Sequence, residues 1–209
     1  MTKQKHMKKL ITIILSICFI TNLYSQTEKL SGPRVGFTFI GAGPIADFIN
    51  TKDLDKLDNP NFSNIGETGS AFITQYGWQW ETRFADGYDV TGLVEWILLV
   101  GGIEKGLFLP SFSSLVGIRT SSNFEFAFGP NLSLSGVGAV VAIGKNFKVG
   151  ELNLPVNIAF RPGIKRTKEF GGDIYYDSNT QEFVTTQQTT EEYNSGSLIS
   201  LVIGFNIGN

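Results

Sequence analysis

The sequence is poor in the side chains that carry most enzyme chemistry. Its one cysteine, Cys18, and its one histidine, His6, lie in the first 18 residues, together with both methionines, Met1 and Met7. Beyond Cys18 there is no imidazole to act as general base, no thiol nucleophile and no His/Cys zinc set. That excludes the usual lipase, acyltransferase, deacylase and His-dependent protease mechanisms. A disulfide framework is excluded with them. Charged residues make up 17% of the chain and balance to a formal −2. With no Lys/Arg surplus and no basic patch, nucleic acid is not an expected partner. After residue 25 no apolar run approaches the ~20 residues that a membrane-spanning helix requires.

What is present points to strands. The 209 residues include 24 glycines, 12% aromatic and 42% apolar side chains, a balance of tight turns and short strands with enough apolar surface for one domain. Residues 1–25 have a basic start (Lys3, Lys5, Lys8, Lys9), an apolar run from Leu10 to Ile20, and Ser25 before Gln26. This predicts a cleaved export signal, with residues 26–209 as a single domain. Lipidation at Cys18 is disfavoured because Ile17 stands where a small residue is needed.

From Gly69 to Phe84 the chain alternates with period two. Phe72, Thr74, Tyr76, Trp78, Trp80, Thr82 and Phe84 fall on one face and Ile73, Gln75, Gly77, Gln79, Glu81 and Arg83 on the other, the signature of a strand between two environments. The pattern returns cleanly in Asn123–Ser135, in Leu152–Lys165 and in a last strand from Ile199 to Ile207. It returns less cleanly in Pro33–Gly41, Val90–Val100, Leu107–Arg119 and Gly138–Val149. Strands of about ten residues, eight in number, predict an all-β fold: an eight-stranded antiparallel up-and-down transmembrane β-barrel, apolar outside and filled with polar side chains inside.

Connection lengths agree with that topology. The even connections are short (Ala85-Asp86-Gly87-Tyr88, Thr120-Ser121-Ser122 and Gly150-Glu151), with Asp86-Gly87 suited to a tight hairpin. The long ones, near residues 42–68 and 166–194, are the first and seventh, so both open on one side as an extracellular cap. In the first, Ile45, Phe48, Ile49 and Leu54 follow helical spacing over Pro44–Leu57. In the second, Ile174-Tyr175-Tyr176 and Phe183-Val184 flank a turn and predict a hairpin, while Thr185–Glu192 reads as polar and mobile. Pro110, Pro130, Pro155 and Pro162 fall inside the strands and call for bulges or strand ends. Leu93, Ile97 and Leu99 place apolar bulk beside Glu95.

The chain resembles the small outer-membrane β-barrel proteins of Bacteroidota, the outer membrane protein beta-barrel domain group. The resemblance lies in Tyr24-Ser25-Gln26, in Phe124-Glu125-Phe126-Ala127-Phe128-Gly129-Pro130-Asn131, and in the closing Gly204-Phe205-Asn206-Ile207. It implies residence in the Gram-negative outer membrane and insertion by the barrel-assembly machinery, which reads the last strand at Ile203, Phe205 and Ile207. Some relatives serve type IX secretion and gliding.

The expected lumen polar network comprises Arg34, Gln75, Gln79, Glu81, Arg83, Glu95, Glu125, Asn157 and Arg161, with Lys165 facing the same interior. Glu81, Glu95 and Glu125 are read as partners of these cations, not as a catalytic pair. Tyr76, Trp78, Trp80 and Trp96 form the expected lipid-facing girdle. Gly41-Ala42-Gly43-Pro44-Ile45-Ala46 has the local look of a dinucleotide-binding turn, but no βαβ series follows it. Asp47, Asp53, Asp55 and Asp58 lack the spacing of a calcium loop. No cofactor, metal or catalytic residue is therefore assigned. The expected protein is a non-enzymatic outer-membrane barrel acting in envelope structure, adhesion or as accessory to a secretion complex, with outer-membrane lipid and surface or secretion-complex partners. The alternative is a soluble, secreted lipocalin-like barrel that binds an apolar ligand, with aromatics inside and charges outside.

Overall fold

A computed structural model of the chain describes residues 29–58, 65–150, 152–170, 174–177, 181–185, 187 and 189–208. The export signal with its cleavage region, Glu151, Ser178-Asn179-Thr180 and Asn209 lie outside the described residues. Strand β1 (Lys29–Ile40) is followed by helices α1 (Pro44–Thr51) and α2 (Asp55–Asp58), then β2 (Ala71–Asp86) and β3 (Val90–Gly101). A 3-10 turn (Ile103–Lys105) leads to β4 (Leu109–Thr120), β5 (Phe124–Ser133), β6 (Gly136–Val149) and β7 (Leu152–Arg161). Next come β8 (Lys165–Phe170), β9 (Ile174–Asp177), β10 (Glu182–Thr185) and β11 (Thr189–Asn194), and the last strand is β12 (Leu198–Gly204), continued by β13 (Ile207–Gly208).

Each strand from β1 to β7 pairs antiparallel with the next, and β12 pairs with both β7 and β1. The sheet is thus a closed, eight-stranded, up-and-down β-barrel. Closure leaves no edge strand, so every barrel strand can be hydrogen-bonded on both sides. The expected alternation holds around it. Val35, Phe37, Phe39, Phe72, Phe112, Phe126, Phe128, Ile143, Phe160 and Ile203 are exposed on the outside, while Arg34, Gln79, Glu81, Glu95, Arg119 and Glu125 are buried inside.

The even connections are short and the first and seventh long, as expected, and the fifth, Leu134-Ser135, is short as well; one turn differs in detail. The Asp86-Gly87 pair does not make a two-residue turn. Asp86 still pairs with Thr91, Gly87 donates to the Val90 carbonyl at 2.9 Å, and Gly87 has no positive φ. A bulge between Arg83 and Ala85 shifts the register there. Gly150, by contrast, takes the left-handed φ of 63° at its tight turn.

Prolines interrupt ladders without shifting them. Pro130 falls between the pairs Ser113↔Asn131 and Val116↔Phe128, which share one register. Pro33 and Pro155 face the last strand from its two sides, and pairing with it lapses at both: between Arg34↔Gly204 and Ser31↔Ile207, and between Val156↔Ile203 and the Asn153↔Asn206 bridge. Missing donors on both flanks explain why the last strand breaks at Phe205 into β12 and β13. Pro110 is the second residue of β4, and Pro162 lies just past β7.

Helix α1 closes one end of the barrel. Pro44 at its first turn suits helix initiation, and Ile45, Ala46, Phe48 and Ile49 are buried against Ile40, Ala71 and Ile73. The helix stops at Lys52, whose φ is 60°, so Leu54 falls out of phase and is 64% exposed instead of packing. Asp47 holds the rest of this connection, accepting from the Gly66 amide at 2.6 Å and from the Thr68 amide at 3.1 Å and hydroxyl at 2.6 Å. In the third connection Glu104 accepts from the amide and hydroxyl of Thr74. Desolvation pushes its carboxyl up, but these hydrogen bonds outweigh it and hold the group below the usual carboxylate range.

The seventh connection forms the expected hairpin. β9 pairs with β10, and Tyr176 meets Phe183 edge to face at 5.3 Å. The stretch expected to be mobile is mostly strand: β11 pairs with β8 from Thr189↔Phe170 to Asn194↔Lys165, continuing the ladder of β7 and β12. Alternation was masked there because a two-stranded extension with both faces polar has no apolar side to mark its register.

Interstrand packing relies on glycine where strands approach closely. A Cβ on Gly77 would lie 1.9 Å from the Leu98 carbonyl oxygen, a backbone atom that cannot move without parting β2 from β3. Gly77→Ala is expected to cost about 1–3 kcal/mol, the range for overpacking, read as a lower urea midpoint of the folded barrel. An unchanged midpoint would contradict the close approach.

Candidate functional site

The interior has two parts. Toward the short connections it is a packed polar belt. Arg34, on β1, donates through Nε to Gln79 Oε1 at 2.9 Å, through Nη2 to Asn206 Oδ1 at 2.6 Å, and through Nη1 to the Pro33 and Phe205 carbonyls. Gln79 then donates to Glu95 Oε1 at 2.6 Å. Arg119 clamps Glu81 with two parallel hydrogen bonds of 2.7 and 2.6 Å and reaches Glu125 through Nε at 2.6 Å. All of these side chains are at most 6% exposed, so each hydrogen bond replaces water that the site excludes.

The belt gathers Arg34, Gln79, Glu81, Glu95 and Glu125 from the expected network and adds Arg119 and Asn206, which sequence reasoning passed over. Arg119 stands at the last inward position of β4, in a segment whose faces the sequence reading did not assign. The alternation Ser111, Ser113, Leu115, Gly117 is the signal that places it inside. Gln75 belongs to a separate group, accepting from Thr38 at 2.6 Å, with Thr38 and Ser200 hydroxyls 2.7 Å apart. Arg83 is half-buried beside the bulge. Lys165 does not face the lumen: it opens β8, its side chain is 83% exposed, and it lies 4.0 Å from Glu192.

Toward the long connections the lumen is neither polar throughout nor filled. A chamber of about 120 Å³ lies there. Its walls are Ile97, Leu115, Ala127, Val140, Ala142 and Ala159, its roof includes Ile45 and Ile49 of α1, and Glu95 and Glu125 of the belt lie at its floor. The apolar bulk expected beside Glu95 is present: Leu93 and Leu99 are buried, and Ile97 and Leu99 line the chamber. Asn157 and Arg161 reach this chamber and do not join the belt.

Tyr76, Trp78, Trp80 and Trp96 sit together on the outer face of β2 and β3, between 39% and 46% exposed, with Trp80 directly opposite Trp96. The Gly41–Ala46 segment forms the strand-to-helix turn that seats α1, with the Gly41 amide donating to the Ser197 carbonyl at 2.7 Å. Asp53 accepts from the Asp55 amide at 3.1 Å to start α2. Among the described residues no group of three His, Cys, Asp or Glu side chains is placed to hold a metal. The carboxylates of Glu81 and Glu125 share one guanidinium, which commits both to holding it.

Comparison with protein-family models and with curated proteins returned no match. The reading therefore rests on the chain's own geometry.

Removing Arg119 leaves Glu81 and Glu125 buried without their cation. Arg119→Met is expected to destabilise the barrel by about 3–5 kcal/mol, measured by urea titration of the folded form. Adding Glu81→Gln and Glu125→Gln to that variant should recover much of the loss, because the uncompensated charges are gone. If the triple variant is no more stable than Arg119→Met, the clamp is not what stabilises this end.

Proposed function

We propose that the chain is a non-enzymatic integral outer-membrane β-barrel of the small Bacteroidota type, inserted by the barrel-assembly machinery with its long connections outside the cell. The observation that carries this reading is the exposed apolar surface, which runs around the closed sheet while the charges lie inside. A surface of that extent in water would be an aggregation hazard, whereas in a bilayer it is the solvent-matched face. A closed barrel also satisfies its own backbone hydrogen bonds, which lipid demands. Lys145 supports the same orientation. It points outward near a short-turn end, its Nζ lying 4.5 Å from the Phe124 ring centroid and 5.7 Å from that of Phe147, as a snorkelling cation at a membrane rim would. The export-signal pattern of residues 1–25 agrees with this location.

The function then resides at the long-connection end, in envelope structure, adhesion or service to a secretion complex. The β9–β10 hairpin supports a surface role by presenting Ile174 and Phe183, 70% and 75% exposed, beyond the barrel. The absence of His and Cys after Cys18 supports a non-enzymatic role. A soluble lipocalin-type barrel shares the strand count and an internal chamber, but it would have to keep this outer surface in water.

The test is extraction and heat-modifiability of the cellular protein. The expected result is retention in the outer-membrane fraction after carbonate washing and a distinct compact band on unboiled SDS gels. Release as a soluble protein would overturn the reading. Phe128→Arg supplies a second measure, because an arginine facing lipid near mid-membrane costs about 2–4 kcal/mol, while in water the loss of an exposed phenylalanine would be neutral.

A further inference from the structure

Arg161, unlike Arg34, Glu81, Glu95 and Glu125, is a lumen charge of the expected network that does not join the belt. It ends β7, is 2% exposed and lines the chamber, yet none of its guanidinium nitrogens finds a hydrogen-bond partner among the described residues. Its charged neighbour is a second cation, Arg166, on β8. Two inward glycines of β6 make room for the pair. A Cβ on Gly138 would lie 2.3 Å from Arg161 Nε, and one on Gly136 would lie 2.5 Å from Arg166 Nη2. Arg166 gives one hydrogen bond to the Val137 carbonyl at 3.4 Å and keeps a buried Nε without a partner. It lines a second cleft, between α1, the β5–β6 turn and β11, which shares Ile45, Leu134 and Ser135 with the chamber. The two cavities are therefore adjoining, with Arg166 in the outer cleft and Arg161 inside.

Buried guanidinium groups are normally paired, and an unpaired one is costly. Buried Arg161 beside half-buried Arg166, with donors unused and cavity space in front, describes a site for an acceptor-only anion. The rest of the chamber defines what that anion carries. Its walls are apolar, and at one water-sized group per about 10–15 Å³ it has room for roughly eight to twelve such groups. Its floor bears the carboxylates of Glu95 and Glu125, which disfavour a second negative end. We propose that the chamber binds an amphiphilic monocarboxylate, head on Arg161 and Arg166 and apolar tail toward Leu115 and Val140. This assignment concerns the barrel interior; its test in a bilayer rests on the membrane reading above, whose own failure shows separately as loss of the compact unboiled band.

The test uses the chain from Gln26 onward in phosphatidylcholine nanodiscs, titrated with carboxyl-labelled octanoate, with empty discs subtracted. Octanoate is expected to bind saturably, and octanol and octylamine much more weakly. Arg161→Met should weaken octanoate about tenfold to a hundredfold, as loss of a charge-assisted hydrogen bond does. Ala142→Phe, which keeps both arginines and fills the chamber, should abolish the binding. Each variant is first checked for the compact unboiled band, and should Arg161→Met not fold, the headgroup series and Ala142→Phe still decide. No saturable octanoate binding would overturn the proposal, leaving Arg161 to cavity water. So would undiminished binding by Arg161→Met, or inorganic phosphate binding as well as octanoate, which would make the site one for anions alone.

Discussion

Pairing of β12 with β1 is the constraint on which the rest of the structure depends. Once the sheet is closed, a side chain on any strand has two places to go, and successive residues must alternate between them. The sequence has set its apolar and aromatic residues on the outward positions. The inward positions then receive the polar residues whether or not water can follow them. Burial inside a narrow barrel makes each of those groups depend on a partner, and the Arg34–Gln79–Glu95 chain and the Glu81–Arg119–Glu125 clamp are the result. The belt is thus a consequence of closure combined with an inverted surface. It also ties β1, β2, β3, β4 and β5 together across the lumen, adding side-chain links between strands that are not neighbours in the sheet.

The strand pattern was legible because period-two alternation needs no tertiary knowledge. For Phe124 to Leu132 or Ile199 to Ile203, the face a residue occupies follows from its parity once one neighbour is placed. Where glycine diluted the pattern, as in Gly138–Val149, the strand was readable but its inward and outward sets were not assigned. Partnership was not readable. Arg119 finds Glu81 across 38 residues and Arg34 finds Asn206 across 172, and such pairings are fixed by register and shear that no single strand encodes. The same limit explains why Arg161 was grouped with Glu81. Parity places both inside, but height along the barrel separates them, and height depends on where each strand begins relative to its neighbours.

Local breaks were misread for a related reason. The Asp86-Gly87 pair has the composition of a tight turn, but the bulge at Arg83/Ala85 shifts the register before it is reached. Pro155 was expected at a bulge or strand end, and it instead leaves a gap on the side facing the last strand, as Pro33 does on the other flank. Removing one donor costs a ladder one bond, and a barrel with bonds on both sides of every strand can lose it without changing register. Helix α1 was legible in Ile45, Phe48 and Ile49, although its role as the roof of a chamber was not, since that requires knowing that both chain ends of the connection rise from the same rim.

The two ends of the lumen differ because they meet different demands. At the short-turn end the strands begin and finish within two or three residues of one another, so the interior can be tied by short polar links. At the other end the long connections must be seated, and α1 does this with an apolar face, which calls for apolar walls at Ile40, Ala71 and Ile73. Small residues below it, Ala127, Ala142 and Ala159, do not reach across the barrel, so the space between roof and belt stays open. A cation at the edge of such a space would ordinarily be the least stable placement in the barrel. Arg161 keeps that placement with Gly138 giving way to its guanidinium, which makes sense if its partner is not part of the chain.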